Sequence, residues 1–226
     1  MNIDVLTVFP EVVKNFFSFS IMQRAQNFGK VNINIHNLRD YSLDKHHKTD
    51  DYPYGGGAGL VMTVEPIERC ISSLKSKHVY DDVVYMSPDG EVLTQSIVNE
   101  FSLKENLIVL CGHYKGVDER IREYLVTREI SVGEYVVSGG ELPACLFIDA
   151  ITRLLPGVLN DASSALEDSF QNGSFVAPPV YSRPEKYKDW VVPSILLSGD
   201  KEKIDEWRMQ QAIKRTDLFK KKNRKI

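Results

Sequence analysis

The chain has 226 residues, 42% of them hydrophobic, and a formal net charge of −3, enough apolar material for a full core and suited to one domain with a smaller companion. No apolar run approaches the ~20 residues of a membrane helix, and Met1–Val5 lacks the basic-then-apolar pattern of a secretory leader. Cys70, Cys111 and Cys145 have no Cys-x-x-Cys spacing and sit in apolar contexts, which argues against a disulfide framework or zinc site and for a cytoplasmic protein with buried thiols.

Apolar runs predict strands at Ile3–Val8, Val31–Ile35, Val83–Met86, Leu107–Leu110 and Glu129–Val132. Between them, helical spacing runs over Pro66–Leu74, Val92–Phe101 and Val117–Leu125. Strands alternating with helices imply an α/β fold around a largely parallel sheet covered on both faces. Ligands of such sheets sit beyond the carboxyl ends of strands. Tyr85-Met86-Ser87-Pro88, Cys111-Gly112 and Val132-Gly133 all lie at such ends, so three loops should converge on one rim.

Leu142–Leu155 is apolar on nearly every face, which predicts a helix buried on all sides, with a subunit interface as one way to cover it. Its lone basic residue is Arg153. Pro156-Gly157 ends the helix, and residues 157–168 read as a small, polar linker of mobile composition. Residues 169–226 read as a small helical domain. Trp190, Val191, Val192, Ile195 and Leu196 are its core candidates, and Asp200 is the N-cap of a helix through Ile204, Trp207, Gln211 and Ile213. Residues 183–226 hold 13 Lys+Arg against 7 Asp+Glu, while residues 1–182 hold 15 against 24. A basic module on an acidic body fits a polyanion partner; a solvated tail is the alternative, and Lys220–Lys225 reads as a frayed end.

The richest stretch is Val132–Ala144. A β-branched run meets a Ser138-Gly139-Gly140 turn, and a helix opens at Glu141-Leu142-Pro143, where proline is tolerated. Paired glycines permit close backbone approach, and free amides at a helix start favour polar or anionic ligands. A ligand-free strand–helix connection fits the same pattern. The glycine loop Gly55–Gly59 does not match Gly-x-Gly-x-x-Gly, and no phosphate-loop, Gly-x-Ser-x-Gly or His-Glu-x-x-His motif is present, which makes a dinucleotide enzyme a weak reading. His46 and His47 are adjacent on a loop and cannot easily face one ion, so no metal site is assigned.

Asp51-Tyr52-Pro53-Tyr54-Gly55-Gly56-Gly57, Cys111-Gly112-His113-Tyr114, Val117-Asp118-Glu119-Arg120, Ser138-Gly139-Gly140-Glu141-Leu142-Pro143 and Glu167-Asp168-Ser169-Phe170 occur in this order. In that ordered set, from Met1 to about residue 217, the chain resembles the bacterial tRNA (guanine-37-N1)-methyltransferases of the TrmD family. The resemblance implies a SPOUT-like α/β domain over 1–156 with a C-terminal trefoil knot, the linker 157–168 and a tRNA-binding domain over 169–226. It implies a homodimer with active sites at the subunit interface, S-adenosylmethionine as methyl donor and tRNA as partner, with no role for DNA or membranes.

By the same resemblance, Tyr85, Ser87, Pro88, Gly112, Val132, Gly133, Glu134, Tyr135, Val136, Val137, Gly139, Gly140 and Pro143 hold the donor. Asp168 matches the family's base and Arg153 its cation. Guanine N1 carries a proton at neutral pH, and O6 gains negative charge as that proton leaves, so a carboxylate and a cation together meet the need. Arg24, Arg39, His46, Asp50, Ser169 and Arg208 are the expected tRNA contacts. Family members often carry an acidic residue where this chain has Lys115, and Arg where it has His113. A lysine cannot ligate a cation, which leaves any magnesium requirement open. Another knotted RNA methyltransferase, acting on ribose or a different base, and an inactive tRNA-binding protein are the competing readings.

Overall fold

Side chains along a strand alternate between faces, so a strand apolar at every position is buried on both. The run Leu107–Cys111 is of this kind, every residue of it buried. In chain order the elements are β1 (Asn2–Thr7), α1 (Pro10–Phe17), α2 (Ser20–Asn27), β2 (Asn32–Asn37), a 3-10 turn (Leu38–Tyr41), β3 (Asp50–Asp51), β4 (Val61–Met62) and α3 (Val64–Lys75). There follow β5 (Asp82–Val92), α4 (Gln95–Phe101), β6 (Asn106–Cys111), α5 (Glu119–Tyr124), β7 (Arg128–Ser131) and α6 (Glu141–Thr152). Last come β8 (Lys186–Tyr187), β9 (Trp190–Val191), a 3-10 turn (Ser194–Leu197) and α7 (Lys201–Asn223). The structure is a computed structural model that describes residues 1–159, 168–171, 173 and 175–223.

Five strands form one sheet in the order β2-β1-β6-β5-β7, every neighbouring pair parallel. Along β6, Leu107, Val109 and Cys111 enter one core with Val13, Phe17, Phe101, Phe147 and Ile148 from the helices. Ile108 and Leu110 enter the other, with Ile67, Cys70, Ile71 and Ile121. Helices therefore cover both faces, as the alternating pattern predicts. All three cysteines are buried and free. Among the described residues no helix is long and apolar enough to cross a membrane.

The chain divides into two compact units, residues 1–160 and 161–226. In the second, Asp200 caps α7 through Lys203 N (3.3 Å). That helix continues beyond Ile213 to Asn223, so Lys220–Lys222 form its last turn rather than a frayed end. Cations there face the negative end of the helix dipole. Trp190 and Val191 lie exposed on the β8–β9 hairpin and are not core residues. Most of the linker expected over 157–168 lies outside the described residues.

Several boundaries differ from the sequence reading. Helices α1 and α2 are not among the helices assigned from the sequence, although each buries one face, through Val13 and Phe17 on α1 and Met22 and Ala25 on α2. Strand β5 runs past Ser87-Pro88-Asp89-Gly90: both Met86 and Glu91 pair with Ile130, so the four residues between them bulge out and the strand resumes. Val92 pairs with Ser131, which delays α4 to Gln95, where Thr94 caps it (Oγ1 accepts from Ile97 N, 3.4 Å). Asp118 likewise delays α5 to Glu119. Helix α6 is not covered all round, since Leu142 and Leu146 are 61% and 49% exposed.

At the amino ends of β1 and β2 a buried polar cluster closes the core. Asp4, 2% exposed, accepts hydrogen bonds from Asn2 (2.7 Å), Tyr80 (2.8 Å) and Asn34 (3.2 Å), and His36 Nε2 lies 2.7 Å away. Burial, the largest influence, pushes the Asp4 pKa up, but the hydrogen bonds and charge around it, His36 foremost, outweigh burial and hold it below the ordinary carboxylate range. A depressed carboxylate pKa gives stability that is present above the unfolded value near 3.9 and lost as pH falls through the folded one. Asp4→Asn is expected to cost on the order of 3 kcal/mol at pH 7, with the deficit shrinking below roughly pH 4. Urea denaturation at both pH values checks this; a deficit independent of pH would mean that the charge of Asp4 contributes nothing.

Candidate active site

Because all five strands are parallel, the bulge in β5 and the loops after β6 and β7 lie at the same edge of the sheet. Together with the start of α6 they enclose a cavity of about 470 Å³. Its floor is a contact between two backbones. Gly140 N–H donates to the Gly112 carbonyl (2.8 Å), and His113 bridges antiparallel to Gly139. A Cβ on Gly140 would lie 2.8 Å from Gly112 N and 2.9 Å from Cys111 Cα, main-chain atoms with no rotamer by which to retreat.

A buried carboxylate locks this floor. Glu141, 4% exposed at the first position of α6, accepts from Thr7 Oγ1 (2.5 Å) and meets His113 Nε2 at 2.6 Å. Thr7 Oγ1 in turn accepts from Phe9 N (2.9 Å), and the Phe9 ring packs on His113 with centroids 4.8 Å apart. The helix N-terminus favours the negative charge. The end of β1, the loop after β6 and the start of α6 are thereby joined through one side chain.

The wall formed by the β5 bulge is held ionically. Ser87 Oγ donates to Asp89, and Arg122 donates to Asp89 (2.9 Å) and to both oxygens of Glu129 (2.9 and 2.6 Å). The same guanidinium lies 5.9 Å from the Tyr85 ring centroid. Burial raises the Tyr85 pKa against the opposing charge of Arg122. At the rim, Tyr114 stands in the left-handed region (φ 60°); burial first, then the neighbouring Asp50 carboxylate, raises its pKa.

Of the residues that the resemblance assigns to the donor, Tyr85, Ser87, Pro88, Gly112, Val132, Gly133, Tyr135, Val136, Val137, Gly139, Gly140 and Pro143 all line this cavity. Glu134 does not; it lies exposed on the loop. Arg153 caps the carboxyl end of α6, and its charge opposes the rise that burial imposes on Asp149. Arg39 and Asp50 lie near Tyr114. His46 is exposed, its N–H donating to Asp44 (2.7 Å), and Arg24 is exposed on α2. Asp168, Ser169 and Arg208 belong to the second unit. There Asp168 O accepts from Gln171 N (3.4 Å), Ser169 Oγ accepts from Ala177 N (3.0 Å), and Arg208 pairs with Asp205 (3.5 Å) on α7. Among the described residues no group of three or more His, Cys, Asp or Glu could hold a metal ion.

Sequence reasoning missed Glu141, Arg122 and Tyr114 as parts of the site. Glu141 and Tyr114 stand inside motifs that the sequence singles out. Arg122 gives no local signal, because its partners Asp89 and Glu129 come from other elements.

The site is therefore a small-residue cavity at the carboxyl edge of a doubly covered parallel sheet, closed by a glycine turn. The family model of the tRNA (guanine-1)-methyltransferase TrmD matches residues 1–224. Over 216 residues, covering 96% of this chain and 96% of each relative, the chain is 57% identical to a tRNA (guanine-N(1)-)-methyltransferase of Bacteroides thetaiotaomicron and 57% identical to one of Porphyromonas gingivalis. It is 54% identical, with the same coverage, to one of Flavobacterium psychrophilum. The chain belongs to the TrmD tRNA (guanine-1)-methyltransferase family.

Gly140→Ala is expected to lower the unfolding free energy by about 1–3 kcal/mol, the usual cost of overpacking. An unchanged urea midpoint would show that the two backbones do not depend on this contact.

Proposed function

We propose that this protein transfers a methyl group from S-adenosylmethionine to N1 of guanine 37 in tRNA, working in the cytoplasm as a homodimer. The observation that carries the reading is the glycine-floored cavity at the sheet's carboxyl edge, in a chain whose close relatives bear the name tRNA (guanine-N(1)-)-methyltransferase. The residues present fit the donor. Gly112 and Gly140 close the floor backbone to backbone with no side chain between them, and Pro88, Gly133 and Gly139 line the space above with small residues. Val132, Val136 and Val137 offer apolar faces to an adenine. S-adenosylmethionine, when bound, supplies an electrophilic methyl group on a cationic sulfur.

The acceptor's ring nitrogen must lose a proton as it attacks. We assign that proton to the Asp168 carboxylate and the stabilisation of O6 to the Arg153 guanidinium. Arg24, Arg39, His46, Asp50, Ser169 and Arg208 are assigned to the RNA, with Arg39 and Asp50 near Tyr114 of the cavity lining. The excess of Lys and Arg after residue 182 favours a polyanion. In this reading the chain from Val132 through α6 forms a trefoil knot of the SPOUT type.

The dimer is supported by an apolar face that one chain leaves open. Leu142 and Leu146 of α6 are exposed, as are Val12 and Phe16 of α1, which packs beside it. A two-fold interface covers such a patch on both subunits at once.

Asp168→Asn is expected to retain donor and tRNA binding and to lose ~10²–10⁴-fold in single-turnover rate, with 1-methylguanosine quantified by nucleoside analysis. A rate within threefold of wild type would remove Asp168 from the mechanism. Mixing two inactive variants, Asp168→Asn and Gly140→Trp, tests the shared site. Subunit exchange should create one doubly defective and one intact site per mixed dimer, restoring part of the activity. Mixed dimers that stay inactive would place each site within a single subunit.

A further inference from the structure

Lys115 is a cation built into the cavity mouth for which the donor assignment has no use. It lines the cavity, and the loop that carries it is stitched to the segment after the glycine loop. Lys115 N–H donates to Leu60 O (3.1 Å), Met62 N–H to Gly116 O (3.0 Å) and Asp118 N–H to Met62 O (2.9 Å). Its stem then crosses the glycine loop itself. A Cβ on Gly59 would lie 3.2 Å from Lys115 Cε and 3.3 Å from Cγ, and one on Gly57 would lie 3.6 Å from Nζ. The ammonium is thus held over Gly57.

Nearby carboxylates are engaged elsewhere. Asp118 pairs with Arg120, and Glu119 pairs with Arg122. Among the described residues none pairs with Lys115. The side chain is exposed, yet its stem lies against the glycine loop, so part of the usual entropy cost of ordering a lysine is already met. Around it the loop is bare. Gly55, Gly56, Gly57 and Gly59 all have positive φ (82°, 79°, 109° and 93°), and a Cβ at Gly55 or Gly56 would meet nothing within 4 Å.

We propose that Lys115 and the glycine loop form a phosphodiester clamp for the nucleotide being methylated. This rests on the proposed tRNA methyl transfer. A nucleotide whose base enters the cavity must carry its backbone past the rim. The base is flat and neutral, and the adjoining phosphodiester carries the charge. A braced ammonium above a side-chain-free loop matches that division: charge for the phosphate, open backbone for close approach.

The test uses the full-length protein, unmodified tRNA transcript and two ligated transcripts, each with a neutral methylphosphonate at one linkage flanking the target guanosine. Lys115→Met is expected to weaken tRNA binding roughly five- to tenfold at low salt and to reduce the slope of log affinity against log salt by about 0.7–1, the signature of one lost phosphate contact. Affinity for S-adenosylmethionine, and kcat at saturating tRNA, should stay within twofold. Lys115→Arg should restore most of the binding. One of the two neutral-linkage tRNAs should weaken wild-type binding to the same extent and weaken Lys115→Met no further. Equal affinity and salt slope for wild type and Lys115→Met would overturn the clamp. So would additive losses with both neutral linkages, or a loss confined to donor affinity or to kcat. Wild-type protein run in parallel separates the two levels: if it neither binds nor methylates tRNA, the methyltransferase reading falls and the clamp with it.

Discussion

The cavity depends on the approach of two backbones at Gly112 and Gly140. A hydrogen bond of 2.8 Å joins them, and no side chain fits between. Such a contact carries little energy alone, so its persistence comes from what is built on either side. On one side is the end of β6, buried in both cores. On the other is α6, whose Ala144, Cys145, Phe147, Ile148 and Ile151 are buried against the sheet, with Phe147 edge-on to Phe101 at 5.0 Å. Apolar burial of this extent, at about 25 cal/mol per Å², exceeds the cost of placing one carboxylate inside. Glu141 is tolerated there because Thr7, His113 and the helix N-terminus all meet its charge.

The two ends of the sheet use polar groups differently. At the amino edge, Asp4, His36, Tyr80 and the asparagines satisfy one another, closing the core where the strands begin. At the carboxyl edge, the networks brace loops whose remaining backbone groups face a cavity. Arg122 carries this furthest: it ties the β5 bulge to β7 and α5 while lying over Tyr85. A parallel sheet places every strand-to-helix loop on that edge, so the loops need bracing from below rather than from partner strands.

What the sequence makes legible follows from which interactions are local. Strands β1, β2, β6 and β7 fall within a residue or two of the apolar runs: β6 because burial on both faces writes a continuous apolar stretch, and β2 because Ile33 and Ile35 alternate with polar residues. Helices α1 and α2 escape because each is only 8 residues long, so that two buried positions apiece, Val13 and Phe17 on α1 and Met22 and Ala25 on α2, are all that marks the period. The second half of β5 escapes because Ser87-Pro88-Asp89-Gly90 reads as a terminal turn, and only pairing with β7 restores the strand. At the site, the glycines are legible as glycines. The burial of Glu141 is not, because its partner Thr7 lies 134 positions away. The ammonium of Lys115 is legible as a departure from a family pattern, but its brace across Gly59 exists only once the loops have folded together.

Helix α6 links these levels. Its N-cap Gly140 closes the cavity floor, its buried face anchors the floor to the core, Arg153 caps its carboxyl end, and Leu142 and Leu146 lie exposed between. A rigid helix cannot shift one of these features without the others. In the proposed dimer, covering the two leucines would hold α6 against the sheet and therefore hold Gly140 against Gly112. Leu142 lies two residues from Gly140, so force applied at the apolar face is felt in the turn itself. Under that proposal assembly and donor binding would both bear on α6, and two events that favour the same position of a helix strengthen each other equally.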